Sequence, residues 1–184
     1  MIVIGLTGLG GSGKTTVAKY LKDNYGYEFL TLSDIIKEEI AHRGLEGGKS
    51  LEEQKFYQSK FGDEWRKETS KKEIVAIKMI EKVKSLKLEK VVIDGFRSPA
   101  EVELFRSSFG KFLLIYVSTD FDMRFRRRLK DDPNANKEKM QERDEDDIEK
   151  KGLQKVVEMA DFVLDNNGTI KDVQHQIDVI MGTL

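Results

Sequence analysis

The nine residues Gly8-Leu9-Gly10-Gly11-Ser12-Gly13-Lys14-Thr15-Thr16 have the types and spacing that hold a chain of phosphates. They satisfy the pattern G-x-x-x-x-G-K-[ST] at every fixed position. Glycine lets the backbone turn tightly enough to aim successive N–H groups inward at an anion. A helix starting at Lys14 adds its positive N-terminal end. Lys14 is then expected to reach the outer phosphates and act in catalysis, and the Thr15 hydroxyl to ligate Mg²⁺. A glycine-rich turn with an incidental lysine is the plainer alternative. The setting argues against it: Met1-Ile2-Val3-Ile4-Gly5-Leu6-Thr7 reads as a buried strand, and Val17, Tyr20 and Leu21 begin a helical stripe.

Four other groups carry possible chemistry. Asp94 ends the apolar run Lys90-Val91-Val92-Ile93-Asp94, where a second carboxylate for the metal is expected; a turn aspartate before Gly95 is the alternative. Arg97 follows three residues later, and its planar guanidinium suits a two-bond grip on an acceptor phosphate. It also has Glu101 as a candidate ion-pair partner. Asp34 lies past a second apolar run, Tyr27 to Leu32, as a catalytic base, a group that orients the acceptor, or a cap of its own helix. Arg124, Arg126, Arg127, Arg128 and Arg143 form a basic cluster. Helical spacing puts Arg124 and Arg128 on one face, as candidates to close over a transferring phosphate. The same region holds Asp131, Asp132, Glu142, Asp144, Glu145, Asp146 and Asp147, so pairing on a solvated surface competes with that role. His42 and His175 lack partners at ligand or triad spacing.

These residues need a scaffold, and the periodicity supplies one. Runs at Met1–Thr7, Tyr27–Leu32, Lys90–Asp94, Phe112–Val117 and Asp161–Asp165 read as strands. Between them, helices are expected with Ser33 as a cap and Ile36 and Ile40 as a stripe, and with Ile74, Ile77, Ile80 and Val83 on one side. One further helix opens at Ser98-Pro99 with Val102, Phe105 and Phe109, and the last is striped by Ile170, Val173, Ile177 and Ile180. Glu46 to Ser70, with Phe56, Tyr57, Phe61 and Trp65, reads as a helical excursion whose aromatics pack. Strands alternating with helices predict a parallel sheet covered on both faces. Ligands then bind beyond the carboxyl ends of the strands, where the loop, Ser33-Asp34, Asp94, Ser118 and Asn166 all fall.

Composition sets the bounds. A chain of 184 residues with 39% hydrophobic content suits one α/β domain, with an acceptor-binding helical segment at about 34–86 and a lid-like segment at about 120–151. The 32 basic and 33 acidic side chains give a net charge of −1, which supplies no reason for an obligatory nucleic acid or membrane partner. There is no cysteine, hence no disulfide and no thiolate metal site. Charged residues reach 35%, above the roughly 25% of an average domain, which favours a surface laced with ion pairs. The apolar start lacks the basic leader of a signal peptide, and a cytoplasmic location is expected.

The chain resembles P-loop kinases of the nucleoside monophosphate kinase superfamily, and within it an archaeal adenylate-kinase-related group. The phosphate loop carries the superfamily likeness. Ser33-Asp34 before Ile35-Ile36-Lys37-Glu38-Glu39, and Ile93-Asp94-Gly95-Phe96-Arg97-Ser98 before Ala100-Glu101-Val102-Glu103, carry the group likeness. The resemblance implies a P-loop NTPase three-layer αβα fold with a five-stranded parallel sheet in the order 2-3-1-4-5. It also implies ATP as donor, with Mg²⁺. Adenylate kinases carry Asp-Gly-Phe-Pro-Arg where this chain lacks the proline, and an arginine where it has Lys37. Lys37 and Arg143 are the acceptor-side residues the resemblance adds. A second likeness, to dephospho-coenzyme A kinase, rests on Ile4-Gly5-Leu6-Thr7-Gly8 and Ala160-Asp161-Phe162-Val163-Leu164-Asp165-Asn166-Asn167-Gly168. It implies that Asn167 and Gly168 lie beside the donor base.

The expected activity is Mg²⁺-dependent transfer of the ATP γ-phosphoryl to an AMP-like nucleoside monophosphate. Dephospho-coenzyme A kinase is the alternative, and a regulatory P-loop ATPase acting on a protein partner is the second. In every case Lys14→Ala is expected to abolish turnover of ATP while leaving the circular dichroism spectrum unchanged, because the lysine supplies charge at the outer phosphates. Near-normal turnover by a folded variant would remove the loop from the active site.

Overall fold

The computed structural model of the chain describes residues 1–45 and 51–184. The first five residues of the polar stretch read as Glu46 to Ser70 therefore lie outside the described residues. In chain order the elements are β1 (Ile2–Thr7), α1 (Lys14–Tyr25), β2 (Glu28–Thr31), α2 (Leu32–His42), α3 (Leu51–Thr69), α4 (Ile74–Ser85) and β3 (Lys90–Phe96). Then follow α5 (Pro99–Ser108), β4 (Phe112–Ser118), α6 (Phe121–Asp131) and α7 (Lys137–Glu145), which runs into one π-helical turn (Asp146–Lys150). α8 (Leu153–Glu158), β5 (Phe162–Asp165) and α9 (Ile170–Gly182) complete the chain.

The sheet is parallel, with the order β2-β3-β1-β4-β5 expected of it. β1 lies at its centre, and its residues Val3, Ile4 and Leu6 are fully buried because helices cover both faces. Val3 belongs to the core shared with α2, α4, α5 and α8, while Ile4 and Leu6 belong to the core shared with α1 and α9. Alternation along one strand thus feeds two cores. On the first face Phe96, Phe105 and Phe112 meet as a ring cluster, with centroids 4.9–5.7 Å apart. Phe61 and Trp65 of α3 are buried in the same core, as expected of packing aromatics, whereas Phe56 is exposed.

Several boundaries differ from those the sequence predicts, each for a local reason. β2 stops at Thr31 rather than Leu32, because Thr31 and not Ser33 is the N-cap of α2. The Thr31 hydroxyl accepts from the Asp34 N–H, and the Asp34 carboxylate accepts from the Thr31 N–H at 3.0 Å. Ile35, not Ile36, therefore takes the fully buried place on α2. β3 continues to Phe96, two residues past Asp94, and the β1–β3 register slips between Leu6 and Thr7. Gly95 absorbs that slip at φ 115°, a left-handed conformation open to glycine. Ile170 is 59% exposed and does not join the α9 stripe.

Ser98 caps α5 reciprocally with Glu101, and Pro99 takes the first turn as predicted. The expected ion-paired surface exists, and Arg43 joins both Glu39 and Glu68, but such exposed pairs stabilise weakly.

The fold's first test is mechanical. Phe105 is fully buried and touches three other rings. Phe105→Ala is expected to lower stability by about 3–5 kcal/mol in chemical denaturation, since the cavity cannot fully collapse between the tilted and edge-on rings around it.

Candidate active site

The loop between β1 and α1 is held by ties on its carbonyl side. Gly8, Gly11 and Gly13 have φ of 140°, 81° and 96°. A Cβ on Gly8 would lie 2.6 Å from the Val117 carbonyl oxygen, and one on Gly13 would run into the Asn166 amide. Side chains from three other elements or turns donate to the loop's carbonyls. Arg124 Nη1 reaches Gly10 O at 3.0 Å. Thr119 Oγ1 and Asn166 Nδ2 reach Ser12 O at 2.9 and 2.7 Å. Carbonyls turned outward leave the opposite side of the loop to N–H groups, which is what an anion requires. Lys14 Nζ donates to Gly8 O at 2.8 Å and Leu9 O at 3.1 Å, so the ammonium rests on the loop that it serves. Thr15 and Thr16 are exposed at the first turn of α1.

Lys14 faces Asp94. Burial lowers the Lys14 pKa, opposed by the Asp94 charge and reinforced by Arg97. Burial raises the Asp94 pKa, opposed by Lys14, Arg97 and the Gly95 N–H. Asp94 Oδ1 is buried and has no hydrogen-bond partner. An orphaned carboxylate oxygen in this position fits a ligand for the water shell of a divalent ion. Among the described residues no cluster of three His, Cys, Asp or Glu could hold such an ion alone. A Mg²⁺ held by Thr15 and Asp94 would therefore complete its shell from phosphate oxygens and water.

The charged segment divides its arginines into different roles. Arg124 is 3% exposed and makes a two-bonded pair with Asp144, at 3.1 and 2.6 Å. With Thr119 O at 3.2 Å and Gly10 O, four of its five N–H groups are committed to protein acceptors. Arg124 is thus a brace between α7 and the phosphate loop rather than a free cation closing over a phosphate. Its face-mate Arg128 is half-buried and has no hydrogen bond or ion pair among the described residues. Arg143 keeps an exposed surface, yet protein atoms crowd its guanidinium: burial lowers its pKa, followed by the charges of Arg97 and Arg128, against Asp147 and Asp144. Arg97 and Arg128 thus both lie within electrostatic reach of Arg143. Arg97 pairs not with the Glu101 carboxylate but with Asp147, at 3.4 Å; Glu101 instead accepts the Arg97 and Ser98 N–H groups.

Asp34 does cap its helix. Its other oxygen accepts from Lys37 at 2.9 Å. Burial alone would raise its pKa, but the Lys37 and Thr31 hydrogen bonds outweigh this and hold it below the usual carboxylate range. That makes Asp34 a weak base and leaves orientation as its better role.

Beside the loop lies a small cavity of about 160 Å³, lined by Gly13, Thr16, Arg127, Asn166, Gly168, Ile170 and Val173. Arg127 donates to Asn166 O at 2.8 Å and Oδ1 at 3.2 Å, and its buried Nη1 has no partner. A planar guanidinium, an exposed isoleucine and a glycine suit a flat ring. Gly168 lines this cavity and Asn167 does not. Asn167 is fixed in the turn, accepting from the Asp120 N–H at 2.8 Å and donating to Asp165. Sequence reasoning put Asn166 only at a strand end and gave no individual role to Arg127, Asp144 or Asp147. Asp144 and Asp147, three apart on one face, carry the one signal that was available, and neighbouring acids mask it.

A parallel sheet of order 2-3-1-4-5 with this loop after its central strand defines a P-loop domain of the kinase-like type. A family model described as an AAA domain matches residues 4–150. The chain belongs to that family, and within it to the UPF0200 proteins. It is 30% identical to the UPF0200 protein of Methanothermobacter thermautotrophicus over 187 residues, covering 100% of this chain and 91% of that protein. It is 33% identical to that of Thermococcus kodakarensis over 184 residues, covering 96% and 94%. Among solved structures it is similar to TT1252 from Thermus thermophilus (TM-score 0.66, 21% identity, 100% and 97% covered). It is also similar to shikimate kinase from Acinetobacter baumannii in complex with shikimate (TM-score 0.57, 20% identity, 100% and 94% covered). These two likenesses show the fold. No helix among the described residues is long and apolar enough to cross a membrane.

The Arg124–Asp144 brace generates a test. Asp144→Asn leaves a buried guanidinium without its charge partner, which typically costs about 3–5 kcal/mol. Because the same guanidinium holds Gly10 O, the variant is also expected to raise the KM for ATP. Lost stability with unchanged ATP affinity would mean that the brace does not shape the loop.

Proposed function

We propose that the protein transfers the terminal phosphoryl group of ATP to the phosphate of a nucleoside monophosphate, as an enzyme related to adenylate kinases. The observation that carries this is Arg97, a half-exposed guanidinium just past Asp94 at the end of β3, with one long contact to Asp147. The charge of Arg97 acts on both Lys14 and Asp94, which supports a position at the phosphate end of the site. A reaction between two polyanions needs fixed positive charge on both sides of the transferring group.

The roles divide by position. The loop Gly8–Thr16 cradles the donor phosphates with its N–H groups, and Lys14 leaves its carbonyl rest to neutralise charge on the outer oxygens. Thr15 and, through water, Asp94 would hold Mg²⁺, which would supply charge neutralisation to the donor phosphates. The cavity at Arg127, Asn166, Gly168 and Ile170 receives the donor base. Arg97 and Arg143 hold the acceptor phosphate, and Arg128 is the lid arginine nearest to a free catalytic role. Asp34 and Lys37 orient the acceptor from the first turn of α2, within an acceptor-binding segment of about residues 34–86. The segment of about residues 120–151 acts as the lid that excludes water. Phosphoryl transfer to the hydroxyl of dephospho-coenzyme A fits less well, because it asks Asp34 to be a base while its cap and Lys37 keep it weakly basic.

The deciding experiment gives labelled ATP and Mg²⁺ to a panel of nucleoside monophosphates and dephospho-coenzyme A. A labelled nucleoside diphosphate is the expected product. Hydrolysis alone would favour a regulatory ATPase. With the acceptor found, Arg97→Ala is expected to raise its KM by about ten- to a hundredfold with ATP little affected, the loss of one forked charge-assisted contact. A rise in the ATP KM alone would place Arg97 on the donor side.

A further inference from the structure

Two carboxylates three residues apart treat their arginines differently. Asp144 grips Arg124 with contacts of 3.1 and 2.6 Å, and both side chains are nearly sealed from water. Asp147 meets Arg97 through one contact of 3.4 Å, well beyond the roughly 2.7–2.9 Å of a strong charge-assisted bond. Arg97 is 41% exposed, so solvent and solutes reach it, although Asp147 itself is 3% exposed. The first pair is fixed and the second is exchangeable.

Asp147 is also in an unusual place for a buried acid. It lies on the π-helical turn that ends the charged segment, and π-turns are frequent at functional sites. Its strong partner, Lys151 at 2.8 Å, comes from the next turn of the same segment. Arg143 acts on it electrostatically, and it acts in turn on Lys14 across the site. Arg97, by contrast, stands on the scaffold after β3. The contact therefore joins the segment to the scaffold by pairing a carboxylate with the arginine that the acceptor phosphate needs.

A phosphate dianion and a carboxylate that hold one guanidinium repel each other, so arrival of the dianion weakens the Arg97–Asp147 contact. The dianion carries twice the charge of Asp147, whose one contact to the fork is 3.4 Å long, so it wins the exchange. A monoanion offers no such advantage.

We propose that Asp147 is a built-in stand-in for the acceptor's phosphate. It occupies Arg97 while the site is empty, yields when the dianion arrives, and so selects phosphate-bearing acceptors over carboxylate-bearing ones. This inference rests on the acceptor role given above to Arg97. When displaced, the carboxylate keeps Lys151, which spares it an unpaired buried charge.

The experiment uses the full-length protein and two variants with opposite expected signs. Asp147→Asn removes the competitor, and about tenfold tighter binding of AMP and of inorganic phosphate by calorimetry is expected. The AMP KM should fall in parallel, with kcat within about threefold. Lys151→Gln leaves Asp147 with Arg97 as its main partner, and weaker binding of both probes is expected. In Arg97→Ala the Asp147→Asn gain should vanish, which marks the coupling as specific to that pair. If Asp147→Asn lowers the melting temperature and leaves phosphate binding unchanged, Asp147 is only structural and the proposal falls. A kcat loss of a hundredfold or more with unchanged KM would make it catalytic, and the proposal falls again.

The calorimetry needs no turnover, so the two readings separate. Tighter phosphate binding without phosphorylation of any nucleoside monophosphate would keep the stand-in and sink the acceptor assignment. AMP turnover with Asp147→Asn indistinguishable from wild type would do the reverse.

Discussion

The site depends on keeping the carbonyl oxygens of one short loop turned away from the ligand. A peptide group has two polar ends, and a loop that aims its N–H groups inward must satisfy its C=O groups elsewhere. Here Arg124 holds Gly10 O, while Thr119 and Asn166 share Ser12 O. Those three donors come from α6, the turn after β4, and the end of β5. The strand order of the sheet matters for this reason: β1 lies beside β4, and β4 beside β5, so their carboxyl ends can supply donors to the loop after β1. Gly8 and Gly13 then follow as requirements, since side chains there would collide with Val117 O and with the Asn166 amide.

Much of this was legible in the chain. A nine-residue motif between an apolar strand and a helical stripe named the loop, and alternating apolar runs gave the parallel sheet. The strand-end positions include Asn166, which meets the loop at Ser12 O, and Asp94, which acts on Lys14, because the C-terminal edge of a parallel sheet is a single place in space. What failed was finer. Thr31 and Ser33 both suit an N-cap, and only the reciprocal bond with Asp34 decides between them. Ile170 fits the α9 stripe by spacing, yet it precedes the turn of helix that meets the sheet and lines the small cavity instead.

The charged segment was the least legible part, for a physical reason. Hydrophobic periodicity reports which face of a helix is buried, but α6 and α7 bury Arg124 and Asp144 and leave Leu129 exposed. A buried ion pair has the same sequence appearance as a solvated one. Arg124 and Arg128 share a face, as helical spacing required, but one is sealed against Asp144 and the other is not. Only the third dimension distinguishes a brace from a free cation.

The partners of the cations form a graded series. Arg124 is bound by a buried carboxylate and backbone carbonyls, with four N–H groups committed. Lys14 rests on two neutral carbonyls, which a phosphate oxygen can replace at little cost because the ammonium gains a full charge partner. Arg97 is held by one long contact, and Arg128 by none among the described residues. A group that must stay in place to shape the loop is tied by a desolvated charge pair, whose rupture is expensive. In the proposed reaction, a group that meets a substrate is tied by contacts weaker than those that a phosphate offers. Equal ties throughout would leave either the loop unsupported or the substrate unable to displace what already occupies its cations. The gradient in burial and contact length is what lets one dense patch of opposite charges be both scaffold and binding surface.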